Sequence, residues 1–405
     1  MRYDQAELLE VSLFDPRYTD DRLNLLAEMR QSGPVAKGML GPLVVRHAEV
    51  ATLAADRRLR GPGLTMFAIN GMADSTVIDR LRNILLFMDG DDHVRLRRLL
   101  SRAFTPKAVE DLRPVARQVI ADLVDGVLAD GHADAATAIC EPYPIPIICA
   151  LVGVPSDRWR EMSGWAGTFL HAIGFNASMH RAEIETAQAE MDAYLLELIA
   201  ERRDEPRDDL LSRLIAIEEE GERLNEEELL ALVFMMLVGG IDTTRNQLGN
   251  LIHTFAEHPD QWAIVRERPE LIAHAVEEAV RWEPATDVIP RLAHQDIEVA
   301  GVEIPAGSVV MLMSQSANHD TVTMPGADRF DVTRDAPSGW HLLTFGGGLH
   351  HCLGAALARL ELQEALGVLS SRFATLAADG PAVAHPIGST IAGYTSLPIR
   401  WTTSD

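Results

Sequence analysis

One cysteine in the chain has the surroundings that a reactive or metal-binding thiol needs. Cys352 follows the run Gly346-Gly347-Gly348-Leu349-His350-His351 and is followed at once by an Ala/Leu-rich helical pattern. At a helix N-terminus the dipole and the free N–H groups favour the thiolate over the thiol. The preceding glycines would let backbone amides come close to the sulfur or to a flat ligand. The segment therefore indicates a chemical role for Cys352.

The residues alone leave several interpretations of this segment open. A buried inert cysteine is the usual fate of a lone Cys, but it would not need three preceding glycines. A phosphate-binding loop would end in Gly-Lys-Ser/Thr, which is missing here. A zinc site made of His350, His351 and Cys352 has poor geometry, and no second CxxC or HxxxH supplies partners. A cysteine nucleophile with a histidine as base stays open.

The helix after Cys352 must be positioned by a larger helical framework, in which one predicted helix is much longer than the rest. Asn225 can cap that helix, and Glu228 at its third position gives a capping-box-like start. His258-Pro259 ends it, because the residue before a proline is disfavoured in the helical conformation. The predicted span Glu226–Glu257 is about 32 residues, or roughly 48 Å at 1.5 Å per residue. Such a helix would cross a whole domain of this size.

The middle of the long helix breaks its own apolar pattern. It reads Gly239-Gly240-Ile241-Asp242-Thr243-Thr244. Two adjacent glycines cost helix stability, roughly 1 kcal/mol each relative to alanine. The segment is either a packing notch with back-bonded threonines or an opening for a ligand. In the second case Asp242 and Thr243 would supply polar atoms at that opening.

Helical patterns dominate the remaining chain, with a small β part. Predicted helices lie near Asp20–Gln31, Asp92–Ser101, Pro106–Ala129, Ala182–Arg203, Pro269–Arg281 and Leu353–Arg372. Predicted strands are Leu43–Arg46, Ile297–Val302, Val309–Leu312 and Thr395–Trp401, each rich in β-branched or alternating residues and bounded by Gly or Pro.

Composition and charge exclude several classes of protein. The chain has 405 residues, 60 acidic and 36 basic, for a formal net charge of −24. This balance argues against nucleic-acid binding and against an anionic membrane surface. The longest strongly apolar run, Leu229–Ile241, is too short for a membrane span, and the N-terminal segment lacks a signal-peptide pattern. Three cysteines cannot form a disulfide framework. We therefore expect a cytoplasmic protein that contacts neither nucleic acid nor membrane.

The cysteine segment matches a known family pattern. The order Phe-x-x-Gly-x-His-x-Cys-x-Gly is met by Phe345, Gly348, His350, Cys352 and Gly354. This resembles the haem-binding loop of the cytochrome P450 family, and a five-position match at this spacing is specific.

Further segments resemble the same family in the right order. They are His93-Val94-Arg95-Leu96-Arg97, Gly239 to Thr244, Glu278-Ala279-Val280-Arg281, Arg291, and Ala317-Asn318-His319-Asp320. The last departs from the family pattern, since His319 stands where an arginine is usual. The resemblance covers essentially the whole chain and is of the soluble bacterial type.

The resemblance implies one cytochrome P450 domain over residues 1–405, mainly α with small β-sheets. Haem b (iron protoporphyrin IX) would lie between the long central helix and the cysteine loop, with Cys352 as the thiolate ligand of iron. The other residues that the resemblance assigns to haem are Phe345, Gly348 and Gly354 in the loop, Gly239 and Gly240 on the long helix, and His93, Arg97, Arg291 and His350 at the haem propionates.

On the opposite face of haem, the resemblance implies that Asp242 and Thr243 deliver protons to bound O2. A hydrophobic small-molecule substrate would lie there. Candidate substrate contacts, mostly apolar, are Phe67, Phe87, Phe169, Met235, Val238, Asp287, Val288 and Ile391. The expected reaction is monooxygenation, either hydroxylation or epoxidation.

The electrons must come from outside, because no flavin or iron–sulfur segment is fused to the chain. By analogy with the family, we expect a ferredoxin-type donor. Arg95, Arg98 and Arg102 form a stripe on one predicted helix, and Arg359 follows the cysteine loop; together they could form a basic docking patch or be solvated charges. Two other functions stay open. One is oxidative coupling or ring formation without oxygen insertion, and the other is a non-catalytic haem protein that binds a ligand or a carrier.

Overall fold

A computed structural model describes residues 1–12, 15–173, 177–216, 224–386, 389 and 391–403. Its α-helices are α1 (Arg17–Asp20), α2 (Arg22–Ser32), α3 (His47–Ala54), α4 (Thr65–Ile69), α5 (Val77–Arg82), α6 (Gly90–Ala103), α7 (Pro106–Glu110), α8 (Arg113–Val127), α9 (Pro144–Val152), α10 (Trp159–Leu170), α11 (Arg181–Asp204), α12 (Leu210–Ala216), α13 (Glu226–Glu257), α14 (Pro259–Glu267), α15 (Ile272–Trp282), α16 (Ser314–Asn318) and α17 (Ala355–Arg372). Its strands are β1 (Val35–Lys37), β2 (Pro42–Val44), β3 (Leu59–Arg60), β4 (His132–Asp134), β5 (Ile289–Ala293), β6 (Ile297–Val299), β7 (Val302–Ile304), β8 (Val309–Leu312), β9 (Phe373–Ala378), β10 (Val383–Ala384), β11 (Tyr394–Ser396) and β12 (Pro398–Thr403).

The long helix α13 is the centre of the helical part, as the sequence predicts. The Asn225 side chain accepts a hydrogen bond from the Glu228 backbone N–H at 2.9 Å, and the Glu228 carboxylate accepts one from the Asn225 N–H at 3.0 Å. This reciprocal capping box satisfies two N–H groups at the helix start. Most of α13 is buried among α9, α10, α11, α15 and α17. A helix buried on nearly all sides can present chemistry only where its neighbours leave a gap.

The β part is small and carries one of the predicted haem contacts. Five strands form the largest sheet in the order β1-β2-β8-β5-β3, with β2 and β8 parallel and the other pairs antiparallel. Arg291 on β5 pairs in register with Val310 on β8. The sheet therefore fixes the backbone that carries this arginine.

Two predicted elements have different bounds, for local reasons. The predicted helix Pro106–Ala129 divides into α7 and α8, because Pro114 has no N–H and lies in the first turn of a new helix that begins at Arg113. The predicted strand Ile297–Val302 is instead a hairpin of β6 and β7. Its turn holds Ala300 and Gly301 at φ 48° and 84°, the left-handed conformation of a tight hairpin turn.

Among the helices that the structure describes, none is both long enough and apolar enough to cross a lipid bilayer.

Candidate functional site

The cysteine loop is a tight turn that only glycine can complete. The Cys352 backbone N–H donates to the Phe345 carbonyl oxygen at 2.8 Å, which closes the loop on itself. Gly346 and Gly348 have φ values of 72° and 62°, in the left-handed region that side chains disfavour. A Cβ atom on Gly348 would come within 2.9 Å of the Ala54 carbonyl oxygen on α3. The glycines thus serve both the turn and its close packing on α3.

Cys352 is crowded by protein atoms but not covered by them. The residue keeps accessible surface, yet burial raises the pKa of its thiol. The Gly354 N–H, the charges of Arg97 and Arg359, and the Ala355 N–H all oppose that rise of the Cys352 pKa. The loop therefore offers an accessible sulfur with stabilising donors for a thiolate.

Arg359 is occupied beside this loop. Its guanidinium lies over the Phe345 ring at 4.3 Å from the ring centre. It also donates to both carboxylate oxygens of Glu277, at 2.5 and 3.0 Å. The prediction that Arg359 forms part of a basic docking patch is therefore weakened, because a carboxylate already neutralises its charge. Arg95 is likewise ion-paired, with Glu228.

The four predicted propionate partners lie on a helix, on a strand and in the cysteine loop. His93 and Arg97 lie on α6, Arg291 on β5, and His350 in the cysteine loop. The rings of His93 and His350 are 4.6 Å apart. Burial, aided by the charges of His350 and Arg97, lowers the pKa of His93 to about 4. His350 Nε2 is 3.0 Å from an Asp89 carboxylate oxygen at the start of α6.

This cluster fits a group that carries two carboxylates. Arg97 donates to the His351 carbonyl oxygen at 2.5 Å and Arg291 to the Pro290 carbonyl oxygen at 3.0 Å. Within the described part of the chain neither arginine has a carboxylate within ion-pair distance. Burial lowers the pKa of both guanidinium groups. Arg291 is buried and Arg97 is half-buried, and both are suited to haem propionates, which would supply the missing negative charge.

The centre of α13 combines a notch and an opening. A Cβ atom on Gly240 would come 2.9 Å from the Ile148 side chain of α9, so this glycine permits close helix packing. A Cβ atom on Gly239 would meet nothing within 4 Å. Met235, Gly239 and Thr243, spaced four residues apart, are more accessible than the helix around them. Gly240 is therefore the packing notch, whereas Gly239 lies at the opening.

The two polar residues beside this opening point in different directions. The Thr243 hydroxyl donates to the Gly239 carbonyl oxygen at 2.6 Å, on the accessible stripe. Asp242 is fully buried, and the Arg245 guanidinium lies 2.6 Å from its carboxylate. Arg245 is thus the charged partner of this buried carboxylate. Burial raises the pKa of Asp242, and Arg245 opposes that rise.

The predicted substrate contacts divide into two groups. Phe67 packs edge-on against Phe87 at 5.0 Å, and Phe169 packs edge-on against Phe234 at 4.7 Å. Val238 and Ile391 are buried, and Met235 is half-buried.

Asp287 and Val288 form the second group and have other partners. Asp287 is ion-paired with Arg22 of α2, so in this conformation it is not available as a polar contact for substrate. Val288 packs against the cluster that contains Leu25 and Met29.

Two charged residues near α13 are not marked by any sequence motif. Arg245 carries no motif of its own, and only its spacing of three from Asp242 hints at a pair. Glu361 lies inside α17, where a glutamate in an Ala/Leu-rich pattern is expected on the surface. It is instead buried, and burial raises its pKa to about 8. No sequence signal would have located it.

Comparison with known proteins gives the family. The chain matches the family model described as Cytochrome P450 over residues 165–383. Luteothin monooxygenase of Streptomyces thioluteus is 36% identical over 406 residues, which cover 98% of this chain and 97% of that protein. Mycinamicin IV hydroxylase/epoxidase of Micromonospora griseorubida is 37% identical over 385 residues, covering 92% and 94%. The solved structure of cytochrome P450 CYP109Q5 from Chondromyces apiculatus superposes with a TM-score of 0.88 at 31% identity, covering 98% and 99%.

The chain therefore belongs to the cytochrome P450 family. It is a P450 monooxygenase, and the cofactor of its family is haem b. The predicted family and the mainly helical P450 fold are confirmed.

Proposed function

We propose that this monooxygenase binds haem through the Cys352 thiolate and inserts one oxygen atom into a hydrophobic organic molecule, with electrons from a separate ferredoxin-type protein. The observation that carries the proposal is the accessible, desolvated sulfur of Cys352, surrounded by the Gly354 N–H, the Ala355 N–H and the Arg97 charge. When bound, haem supplies the iron that activates O2. His93, Arg97, Arg291 and His350 would hold its carboxylates.

Cys352→Ser tests the ligand directly. A hydroxyl is a poor ligand for haem iron compared with a thiolate. We expect the variant to lose the thiolate-type spectrum of the reduced carbon monoxide complex. Survival of that spectrum in the variant would contradict the assignment of Cys352.

On the substrate side, we assign proton transfer to Thr243 and Asp242. The Thr243 hydroxyl lies on the accessible stripe of α13, and burial raises the pKa of the neighbouring Asp242 carboxyl, which makes that carboxyl easier to protonate. Thr243→Ala should keep haem but divert reducing equivalents to peroxide. The measurement is product formed per NAD(P)H consumed; an unchanged ratio would remove Thr243 from the proton path.

The aromatic pairs Phe67–Phe87 and Phe169–Phe234 and the buried Val238 and Ile391 support an apolar substrate. The relative named as a hydroxylase/epoxidase supports hydroxylation or epoxidation for this chain. A substrate screen that follows the Soret shift, then turnover with a surrogate ferredoxin and reductase, tests both points. A product that gains an oxygen atom supports insertion. A product that only loses hydrogen would favour coupling or ring formation.

For the electron donor, the exposed residues Arg98 and Arg102 on α6 are the candidate contacts. A ferredoxin with an acidic surface would be attracted to them. Reversing both to Glu should slow reduction by ferredoxin and leave reduction by dithionite unchanged. Equal slowing with both reductants, or no slowing with either, would count against docking at α6.

A further inference from the structure

The part of α13 that follows the opening has a polar face inside the protein. The polar side chains of this face are Asn246, Gln247, Asn250, His253 and Thr254. All of them except His253 are 6% exposed or less. Polar groups that lose contact with water need hydrogen-bond partners within the protein. The partners of these side chains therefore show what this face of α13 holds in place.

Most of these side chains bind Glu283, the residue at the end of α15. The Glu283 backbone carbonyl oxygen accepts from Gln247 Nε2 at 2.9 Å and from Asn250 Nδ2 at 3.1 Å. One oxygen of its carboxylate, Oε2, accepts from the Thr254 hydroxyl at 3.0 Å and lies 3.1 Å from His253 Nδ1. The helix thus holds the start of the segment that connects α15 with β5.

A second segment, residues 391–394, lies against the same face of α13. Asn250 Nδ2 also donates to the Ala392 carbonyl oxygen at 3.3 Å, so one amide group bridges the two segments. A Cβ atom on Gly393 would collide with the Asn246 side chain, one turn of α13 beyond the opening. The 391–394 segment is therefore packed directly on α13 next to the opening.

Tyr394 ties this segment to Glu283 through its hydroxyl group. The hydroxyl donates to Glu283 Oε1 at 2.5 Å and lies 2.8 Å from His253 Nδ1. Burial acts to raise the pKa of the Glu283 carboxyl, but the hydrogen bonds that it accepts, first of all from His253, lower that pKa overall. The Tyr394 hydroxyl therefore meets a carboxylate, and a hydrogen bond to an ionised group is stronger than one between neutral groups.

We propose that Tyr394 is a positioning residue for substrate specificity, because its bond to Glu283 holds the predicted substrate contact Ile391 in place beside the opening of α13. The inference rests on the proposed function, since the position of Ile391 matters only when a ligand binds there. Loss of the hydroxyl would free the 391–394 segment and leave the haem contacts on α6, on β5 and in the cysteine loop unchanged. Large ligands would then bind less tightly, and small ligands of iron would not be affected.

Tyr394→Phe removes the hydroxyl and keeps the aromatic ring. Two azoles are the probes in the haem-loaded enzyme, and the Soret shift gives both dissociation constants. Imidazole is small enough to reach haem iron without contacting the surrounding side chains, whereas clotrimazole is an imidazole that carries three aryl rings. We expect clotrimazole to bind about 3- to 10-fold more weakly, since binding must then order the released segment. Imidazole should bind as in the parent.

Tyr143→Phe is the matched control. The buried Tyr143 hydroxyl donates to the Glu361 backbone carbonyl oxygen at 2.7 Å, so this variant loses one buried hydrogen bond outside the cluster around Glu283. Its affinity for both azoles should equal that of the parent. His253 provides a second series. His253→Asn keeps an N–H donor near the position of Nδ1 and should resemble the parent, whereas His253→Leu should weaken clotrimazole binding.

Backbone hydrogen exchange of the 391–394 segment measures the tie without any ligand. Exchange should be faster in Tyr394→Phe than in the parent and unchanged in Tyr143→Phe, because only the first variant releases the segment.

The proposal is overturned by unchanged exchange or unchanged clotrimazole binding in Tyr394→Phe, by equal weakening of both azoles, or by the same weakening of clotrimazole in Tyr143→Phe. If Tyr394→Phe does not retain haem, the two His253 variants decide: equal clotrimazole affinities in His253→Asn and His253→Leu would contradict the role of the cluster. Failure of the proposed function has a different signature. The parent itself would then show no Soret shift with imidazole, while hydrogen exchange would still report the tie.

Discussion

The cysteine side of the molecule and the segment of residues 65–82 are held by opposite means. Beside the cysteine loop, Arg281 is 1% exposed and donates to both oxygens of Glu278 and to the carbonyl oxygens of Asn318, Ala327 and Arg329. The segment of residues 65–82 is instead tied to α11 by separate side-chain pairs, most of them partly buried. The contacts are Asp74 with Arg181, Ser75 with Glu185, and Arg80 with Asp192.

This difference has a functional meaning. Buried charge networks lose several kcal/mol when one partner is removed, while exposed pairs contribute little. The region that would hold haem is therefore rigid. The region that carries Phe67, a predicted substrate contact, is joined to its neighbour by separate side-chain pairs and not by one connected network. An enzyme whose reactive groups must stay in place while substrate enters and leaves needs one rigid region and one that can move.

The largest effect is expected from Arg281→Ala. The substitution leaves Glu278 buried without its partner and frees three carbonyl oxygens, so we expect a loss of about 3–5 kcal/mol in the free energy of unfolding. Denaturant unfolding measures it. Arg268→Ala is the control, because Arg268 and its partner Glu270 are both more than half exposed. A loss below about 1 kcal/mol for Arg281→Ala would end the contrast between the two regions.

A smaller loss is expected from Gly348→Val in the cysteine loop. Valine at a φ of 62° is strained by about 1–3 kcal/mol, and its Cβ would also collide with α3. Haem retention and the reduced carbon monoxide spectrum should decline together with stability. Gly126→Ala on α8 serves as the comparison, since a Cβ there meets nothing within 4 Å and the residue is helical. Normal haem binding by Gly348→Val would show that the loop is more adaptable than its geometry indicates.

The third prediction concerns the loss of folding stability at acid pH. His319 is buried, and burial with the nearby charge of Arg281 lowers its pKa to about 3. The unfolded chain has a histidine pKa of about 6.5, so it binds a proton below that pH when the folded chain does not. Stability is therefore lost as the pH falls from about 6.5 toward 3, by about 1.4 kcal/mol per pH unit from this group.

His319→Gln should remove this histidine's contribution to the loss of unfolding free energy between pH 7.5 and pH 5.5. Denaturant unfolding at the two pH values measures the difference, whatever the variant's absolute stability. His132→Gln, on an exposed histidine, should leave the slope as in the parent. A parent slope retained in His319→Gln would mean that this residue is protonated in the folded protein.

A smaller effect on stability than that of Arg281→Ala is expected from Arg80→Ala at the 65–82 segment. Arg80 and Asp192 are 13% and 17% exposed, and losing the hydrogen bonds to this carboxylate should cost about 1.5–3 kcal/mol. Substrate association and release, followed by stopped-flow Soret changes, should nevertheless accelerate because a tie between α5 and α11 is lost. Arg82→Ala on the same helix is the matched control, because Arg82 and its partner Asp79 are both exposed. If substrate bound and left both variants at the same rates, the 65–82 segment would have no role in substrate entry.

The sequence predicted the parts whose geometry is local. The cysteine loop, the capping box of α13 and the Glu278–Arg281 pair each depend on residues a few positions apart, so spacing sufficed to locate them. The glycine pair in α13 could be interpreted in two ways, because the Ile148 side chain that decides between them comes from another helix.

Contacts between distant parts of the chain were missed for the same reason. Asp287 is a predicted substrate contact, and its segment gives no sign of the ion pair with Arg22, which comes from the second helix of the chain. The burial of Glu361 likewise depends on how α17 packs against its neighbours. Pattern within a segment cannot show which foreign side chain will meet it.

Gly239 illustrates how a protein can keep a weakness that its own packing does not require. An alanine there would meet no protein atom within 4 Å and would favour the helix by about 1 kcal/mol. The chain by itself would gain from the exchange. The alanine methyl group would intrude only on a group bound in the opening of α13. The glycine at position 239 therefore reflects selection for the ligand-bound protein over the stability of the polypeptide alone.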